Sequence, residues 1–408
     1  MITVQEAHEI IRSETVMQAR TEPVKLQDLS GRVIAEEIRA AFPMPRFTNA
    51  AMDGFAVMFD DIAGTSKDEP IRLIVAQEIP AGAHSTTRLA PGTCARIMTG
   101  APLPEGADTV VPFEETSGFG SPRVEFHKAP WRGANIRLAG EEAAAGEIIV
   151  PKGTRATPAE IAALAAFGIS APLAYLRPRV ALVTVGDELR MPGEPADPLS
   201  IYNSNLPMLE ACVRAADGLL TCAWQLPDDP ERIRETVKIS LGECDLLVTA
   251  GGISTGQYDF MQETLTSLGV EEKFWKVAQK PGKPLYFGKA PSGAMVFSLP
   301  GNPVSALACF VEYCMPTLAR LQGAEPIAKV EALLDEPFPA DRKRHRFLFG
   351  RLRYEAGLLR CRLSPKTGSH MITAACGANC IVEAPPSQAP LPAGALVTCN
   401  LLPRAGSC

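Results

Sequence analysis

The chain has 408 residues, 46% of them hydrophobic and 21% charged, with a formal net charge of −6. At ~150 residues per domain this length predicts two to four domains, and the acidic balance gives neither nucleic acid nor an anionic membrane an electrostatic reason to bind. Eleven cysteines and five histidines without close CxxC spacing argue against a disulfide framework or a zinc ribbon; Cys376 and Cys380 are expected to be reduced core residues.

In chain order, the N-terminus MITVQEAHEIIRSETV has neither a basic lead nor a continuous apolar stretch. No segment approaches the ~18 apolar residues of a membrane span, so a cytoplasmic location is expected. Thr3 with Glu6 forms a capping-box pattern, and Val4, Ala7, Ile10 and Ile11 form a helical stripe that needs a partner, in its own domain or another subunit.

Residues 1 to about 176 form a β-rich half: short runs such as VKLQDLSGRVIAEEI, PIRLIVAQEI, CARIMTG and DTVVPFEE are broken by Pro and Gly. Asp53-Gly54 reads as a hairpin turn, with Thr99 and Glu114 at or near bends. One helix is marked at ATPAEIAALAAFG, where Thr157 caps, Pro158 opens, Glu160 closes the box and Gly168 stops it.

From Arg179 to about Gly323, strands alternate with capped helices. Asp229-Pro230 starts a helix that Gly242 ends, Asp259 with Gln262 starts one that Gly269 ends, and Asn302-Pro303 starts a long one through Leu321 that Pro316 should kink. This is the pattern of a central doubly wound α/β domain. Beyond Pro326, short strands predict a small β-barrel-like domain, with Arg342, Lys343, Arg344 and Arg346 on a solvated strand face.

Three segments of the α/β region end an apolar run in a turn suited to an anion: PRVALVTVGDEL (178–189), CDLLVTAGGISTGQYD (244–259) and AMVFSLPGNPVSALACF (294–310). In an open parallel sheet such turns line one crevice, so Gly186-Asp187-Glu188, Gly251-Gly252 with Ser254 and Gly256, and Pro300-Gly301-Asn302-Pro303 with Ser305 can face a single ligand. Glycines admit a close ligand, hydroxyls donate, and the helix start at Asn302 attracts negative charge. Each turn alone also fits ordinary capping or a tight loop.

A carboxylate ~4 Å from a phosphate oxygen is repelled by ~4 kcal/mol at an effective dielectric near 20. A divalent cation reverses the sign, which makes Glu188, Asp228 and Asp259 candidate Mg²⁺ ligands if they converge, while Asp228 also fits a plain turn residue and Asp259 a helix N-cap. Lys276, Lys280 and Lys283 in FWKVAQKPGKPLYFG fit an exposed edge that serves solubility, and their placement between the second and third turns also suits them to supply positive charge to the site. Neither a Gly-x-Gly-x-x-Gly after the first strand of the α/β region, nor a Gly-Lys-Ser/Thr loop, nor a Gly-x-Ser-x-Gly elbow is present, which disfavours a dinucleotide dehydrogenase, a P-loop NTPase and a serine hydrolase.

At these residues the chain resembles the molybdopterin molybdenumtransferase family of molybdenum cofactor biosynthesis, which includes the gephyrin E domain. The matching blocks are AAMDGFA, RIMTGAPLPEGADTVV, TVGDEL, LPDDP, AGGISTGQYD, FWKVAQKPGKPLYFG and SLPGNPVSA, in the family's order, with SPKTGSHM and GANCIVE near the C-terminus. The resemblance implies an elongated homodimer with four regions per subunit: residues 1–45 with 138–176, residues 46–137, an α/β molybdopterin-binding domain at 177–326, and a β domain at 327–408. It implies insertion of molybdate into adenylylated molybdopterin with release of AMP and a divalent cation. It assigns functional positions to Glu188, Asp228, Asp259, Lys276 and Lys280, and expects Asp53 and Thr99 to reach in from the other subunit.

Molybdopterin adenylyltransferase and molybdoenzyme apoproteins are candidate further partners. Adenylylation of molybdopterin and a gephyrin-like scaffold are the alternative readings. Two departures stand out: Asn203 and Gln257 occupy positions where the family favours an acid, which lowers the negative charge expected near the site.

Overall fold

The computed structural model describes residues 1–83, 85, 87–252 and 260–403. They form two compact units, one of residues 37–152 and 162–169, the other of residues 1–36, 153–161 and 170 onward.

The smaller unit is built on a mixed five-stranded sheet of β1 (Gly54–Val57), β2 (Ile71–Ile79), β3 (Thr93–Ile97), β4 (Thr109–Pro112) and β5 (Arg123–Phe126), in the order β4-β1-β3-β2-β5. Gly54 is required there because a Cβ would lie 2.0 Å from the Val111 carbonyl oxygen. Asp53-Gly54 is therefore not the hairpin turn its sequence suggests. Gly54 pairs with Ile97 and Pro112, while Asn49 and Ala50 before it pair with Arg137 and Ile136.

The larger unit carries a six-stranded sheet of β6 (Arg179–Val185), β7 (Leu219–Leu226), β8 (Leu246–Ala250), β9 (Glu271–Trp275), β10 (Tyr286–Lys289) and β11 (Met295–Leu299) in the order β7-β6-β8-β11-β10-β9. The first four are mutually parallel and fully or largely apolar, as expected of strands covered on both faces. Helices Asn205–Ala215 and Pro303–Cys309 cover one face, whose core includes Leu182, Val248 and Phe297. Pro230–Glu243 and Phe260–Ser267 cover the other, with Val183, Leu247 and Val296. Asp229 caps its helix by accepting from the amides of Glu231 and Arg232.

The N-terminal helix, Val4–Glu14, has the Thr3–Glu6 capping box. Its stripe of Val4, Ala7 and Ile11 joins the α/β core, so its partner lies within its own unit.

The segment Pro303–Leu321 passes through a π-turn at Phe310–Cys314 before continuing as Met315–Leu321. Pro316 has no N–H to offer the carbonyl of Glu312, and the wider turn absorbs that loss without ending the helix. By length and composition its 19 residues could cross a membrane, but 78% of its 18-residue apolar window is buried inside the protein, which makes it a core helix, in line with the expectation of no membrane span.

A closed five-stranded barrel follows, from β12 (Val330–Leu334), β13 (His345–Glu355), β14 (Leu358–Leu363), β15 (Cys380–Ala384) and β16 (Leu396–Leu401), closed by the β13–β15 pairing. Arg346, expected on a solvated face, is 8% exposed because it alternates toward the interior beside the sheet's edge pairing with Lys280. Cys380 is buried as expected, but Cys376 is exposed, since it lies in the loop before β15 and not on a strand.

Candidate functional site

In the larger unit the chain leaves β6 toward β7 on one side of the sheet, then crosses back to β8 on the other. The carboxyl ends of β6 and β8 therefore flank a topological switch point, where an open α/β sheet forms its ligand crevice. The turns that end β6, β8 and β11 meet there. A Cβ on Gly251 would fall 2.6 Å from the carbonyl oxygen of Val185, and one on Gly301 would fall 3.7 Å from the Cα of Gly251. Gly186 donates to the carbonyl of Leu226 at 3.1 Å, and Gly251 to that of Leu299 at 3.4 Å.

The β6 and β7 turns clasp each other. The Asp187 amide donates to Asp228 Oδ2 at 3.2 Å, and the Asp228 amide donates to Asp187 Oδ1 at 3.0 Å. This reciprocal pair locks the two turns together while leaving an oxygen on each carboxylate free of that clasp. The Glu188 carboxylate folds back over Gly186, 2.6 Å from where a Cβ would stand. Asp187, Glu188 and Asp228 thus lie on the two facing turns, although among the described residues their carboxylates do not close into one ligand set.

Asn302 does not cap its helix with its side chain. Its Nδ2 donates to Ser369 Oγ at 3.2 Å, and the neighbouring Gly301 carbonyl accepts from Asn205 Nδ2 at 2.7 Å. The helix start is held by these outer contacts, so its first-turn amides are not capped from within. Pro303 opens the helix and Ser305 is buried in its first turn. Ser254, Gly256, Gln257 and Asp259 lie outside the described residues; Gly252 follows the end of β8 and Pro300 the end of β11.

Strand register places the lysines. Trp275 pairs with Tyr286, Tyr286 with Ser298, Ser298 with Thr249, and Thr249 with Val183. This row crosses the sheet two or three residues before the turns, so Lys276, just past Trp275, stands at the same end of the sheet. Lys276 has φ +72° and its Nζ lies 3.6 Å from the Trp275 ring centroid, a cation–π contact that steers the side chain.

Lys276 through Leu285 form a hairpin, with the Lys276 amide donating to the Leu285 carbonyl and the Val277 amide to that of Lys283. Lys280 and Lys283 are exposed on it, and Lys280 pairs with Arg346 at the barrel's edge.

Two features escaped sequence reasoning. Gln279 bolts the lysine hairpin to the π-turn: its Nε2 donates to the Gly282 carbonyl at 3.0 Å and to Cys309 Sγ at 3.3 Å, while Tyr313 Oη donates to its Oε1. A buried glutamine between lysines carries no local signal. The other is a polar row: Thr249 Oγ1, Ser298 Oγ, Tyr286 Oη and Trp275 Nε1 are buried without a hydrogen-bond partner among the described residues. Thr249 and Ser298 stand two residues before Gly251 and Pro300, and a hydroxyl at that position in an otherwise apolar strand was the available signal.

Asn203 is 1% exposed. Its Nδ2 donates to Thr184 Oγ1 at 2.8 Å and to Gln225 Oε1 at 2.9 Å, and its Oδ1 accepts from the Leu206 amide at 3.1 Å. It ties β6, β7 and the following helix together beneath the turns.

In the smaller unit, Asp53 Oδ1 accepts from the Thr99 amide at 2.6 Å and from Thr99 Oγ1 at 2.7 Å. These two donors hold the Asp53 carboxyl below its ordinary range.

A cavity of about 650 Å³ lies elsewhere, at the amino end of β7, lined by Arg155, Arg177, Arg214, Asp217, Met315 and Ile327 among others. It belongs to the opposite end of the sheet from the turns.

A switch-point crevice where three glycine-containing turns meet is the place at which an open α/β sheet takes its ligand. Residues 181–320 match the family profile described as a probable molybdopterin binding domain, residues 2–168 the MoeA N-terminal region (domain I and II), and residues 331–402 the MoeA C-terminal region (domain IV). The chain is 34% identical over 403 residues to molybdopterin molybdenumtransferase 2 of Mycobacterium tuberculosis, covering 97% of this chain and 98% of that one. It is 33% identical over 373 residues to the molybdopterin molybdenumtransferase of Bacillus subtilis, covering 90% and 86%. A crystal structure of the molybdopterin biosynthesis MoeA protein of Pyrococcus horikoshii superposes with a TM-score of 0.85 at 28% identity, covering 98% of this chain and all of that one. The chain belongs to the molybdopterin molybdenumtransferase (MoeA) family, enzymes of molybdenum cofactor biosynthesis.

Proposed function

We propose that this enzyme inserts molybdate into the dithiolene of adenylylated molybdopterin, with release of AMP, in the crevice at the carboxyl ends of β6, β8 and β11. The observation that carries this reading is the convergence of the three turns with the Asp187–Asp228 clasp. Backbone amides of glycine turns suit a phosphate, and the carboxylates suit the cation that a phosphate brings with it.

Glu188, Asp228 and Asp259 would hold Mg²⁺, which supplies charge neutralisation at the phosphate. The chain's own groups do the rest. The turns bind and orient the phosphate. Asn302 and Asn205 hold the helix start in place from outside. Lys276, Lys280 and Lys283 offer positive charge to the incoming molybdate dianion, and the Gln279 anchor fixes the hairpin that carries them.

Asp53, whose orientation is set by Thr99, is proposed to complete the site of a second subunit in a homodimer. Molybdopterin adenylyltransferase would supply the substrate and a molybdoenzyme apoprotein would take the product.

The test supplies purified protein with adenylylated molybdopterin, molybdate and Mg²⁺, and follows AMP and molybdenum cofactor. Release of AMP that depends on molybdate supports insertion. Formation of adenylylated molybdopterin from molybdopterin and ATP, without molybdate-dependent AMP release, would replace this reading with adenylyl transfer.

A further inference from the structure

Inside the C-terminal barrel, Cys361 on β14, Cys380 on β15 and Cys399 on β16 turn their sulfurs toward one another. The three Sγ atoms all lie within 4.8 Å of each other, and those of Cys361 and Cys380 are 3.7 Å apart. All three residues are 0% exposed and sit in the barrel core with Leu334, Phe338 and Val382.

Cys361 and Cys380 are not on neighbouring strands, because β13 runs between them. Gly350 of β13 makes their approach feasible. It pairs with Cys380, and a Cβ on it would stand 2.7 Å from Cys361 Sγ. A side chain at position 350 would fill the space that the sulfur uses to cross the strand.

We propose that Cys361, Cys380 and Cys399 form a trigonal thiolate site for a soft monovalent cation of the Cu(I) class. With metal–sulfur bonds of ~2.3 Å, a trigonal set needs sulfurs ~4.0 Å apart; Cys361 and Cys380 stand at 3.7 Å and all three sulfurs within 4.8 Å. A disulfide needs ~2.05 Å, so joining Cys361 to Cys380 would demand a far larger shift.

Zinc prefers four protein ligands in a structural site. Among the described residues the cluster has three, surrounded by apolar side chains. Three soft donors without a fourth select a thiophilic d¹⁰ cation that accepts three-coordination.

On binding, three S–H bonds break, three protons pass to solvent and three metal–sulfur bonds form; no electron is transferred and the cation stays monovalent.

The experiment titrates the reduced full-length protein with Cu(I) against a Cu(I) chelator without oxygen, both as folded and after refolding in the metal's presence. One tightly held Cu(I) per chain is expected, with three sulfur neighbours by X-ray absorption. Affinity should fall by more than ~100-fold in C361S, C380S and C399S and stay unchanged in C376S, where the thiol is exposed. Failure of the wild-type protein to retain Cu(I), ligation by nitrogen or oxygen, or equal retention in C361S would overturn the proposal. Absorption on the wild type alone decides if the variants do not fold.

Discussion

His8 Nε2 lies 2.7 Å from Glu312 Oε1, a contact that spans 304 residues of sequence. Glu312 is 1% exposed and also accepts from Lys329 Nζ at 2.7 Å and Asn400 Nδ2 at 2.8 Å. One carboxylate in the π-turn thereby joins the N-terminal helix, the α/β domain and the barrel. Burial pushes its pKa up, but the hydrogen bond from His8 and the charge of Lys329 win and bring it to about 2.

Removing that carboxylate leaves Lys329, His8 and Asn400 facing a void. Glu312→Ala should lower stability by ~3–5 kcal/mol, read as a shift in the urea midpoint. Because the folded pKa is depressed, the contribution is fully present above the ordinary value near 4.5 and is lost as pH falls through about 2. The wild type should therefore weaken below pH ~4.5 more steeply than Glu312→Gln. Equal acid slopes would refute the assignment.

Gly251 and Gly301 should respond differently to an added methyl. At Gly251, φ is +91° and the Val185 carbonyl is 2.6 Å from a Cβ, whereas Gly301 has ordinary φ and 3.7 Å of clearance. Gly251→Ala is expected to cost roughly 2 kcal/mol, and Gly301→Ala less than ~1 kcal/mol. Thermal unfolding of the two proteins side by side would show whether the turns pack as described.

At the carboxylate clasp, Asp228→Asn can keep a carbonyl oxygen for the Asp187 amide while losing the charge. The fold should survive, and affinity for Mg²⁺ should drop by ~10–100-fold, with AMP release partly restored by excess Mg²⁺. Calorimetric titration with Mg²⁺ that gives wild-type affinity would remove Asp228 from the metal site.

If Asp53 serves a neighbouring subunit, Asp53→Ala and Asp228→Asn should complement. Each variant alone is expected to be slow, and co-refolded mixtures should regain about a quarter of wild-type turnover, since statistical mixing forms half heterodimers with one intact site each. No recovery on mixing would place Asp53 in the same subunit's site or outside the reaction.

Asn203→Asp should be destabilising by ~1–3 kcal/mol. A carboxylate cannot donate to Thr184 and Gln225 as the amide does. Mg²⁺ affinity within twofold of wild type would confirm that position 203 shapes the strands and leaves the charge of the crevice alone.

The sequence by itself determined the order of elements, the helix starts at Thr3 and Asp229, the existence of three glycine-containing turns at strand ends and the family. Those features are local: caps, breakers and glycine turns act within a few residues, where backbone sterics decide. Legibility failed where a residue's meaning depended on distant partners. Asp53-Gly54 looked like a hairpin because Thr99 and Val111 were invisible from position 53. Arg346 looked solvated because alternation sets its side only once the strand's pairing is known.

The tertiary structure alone decided that the turns of β6, β8 and β11 meet, that Gln279 anchors the lysine hairpin, and that three cysteines from separate strands share one barrel interior. Strand order, register and barrel closure bring such groups together. No spacing along the chain encodes those distances, because they are set by which strands pair.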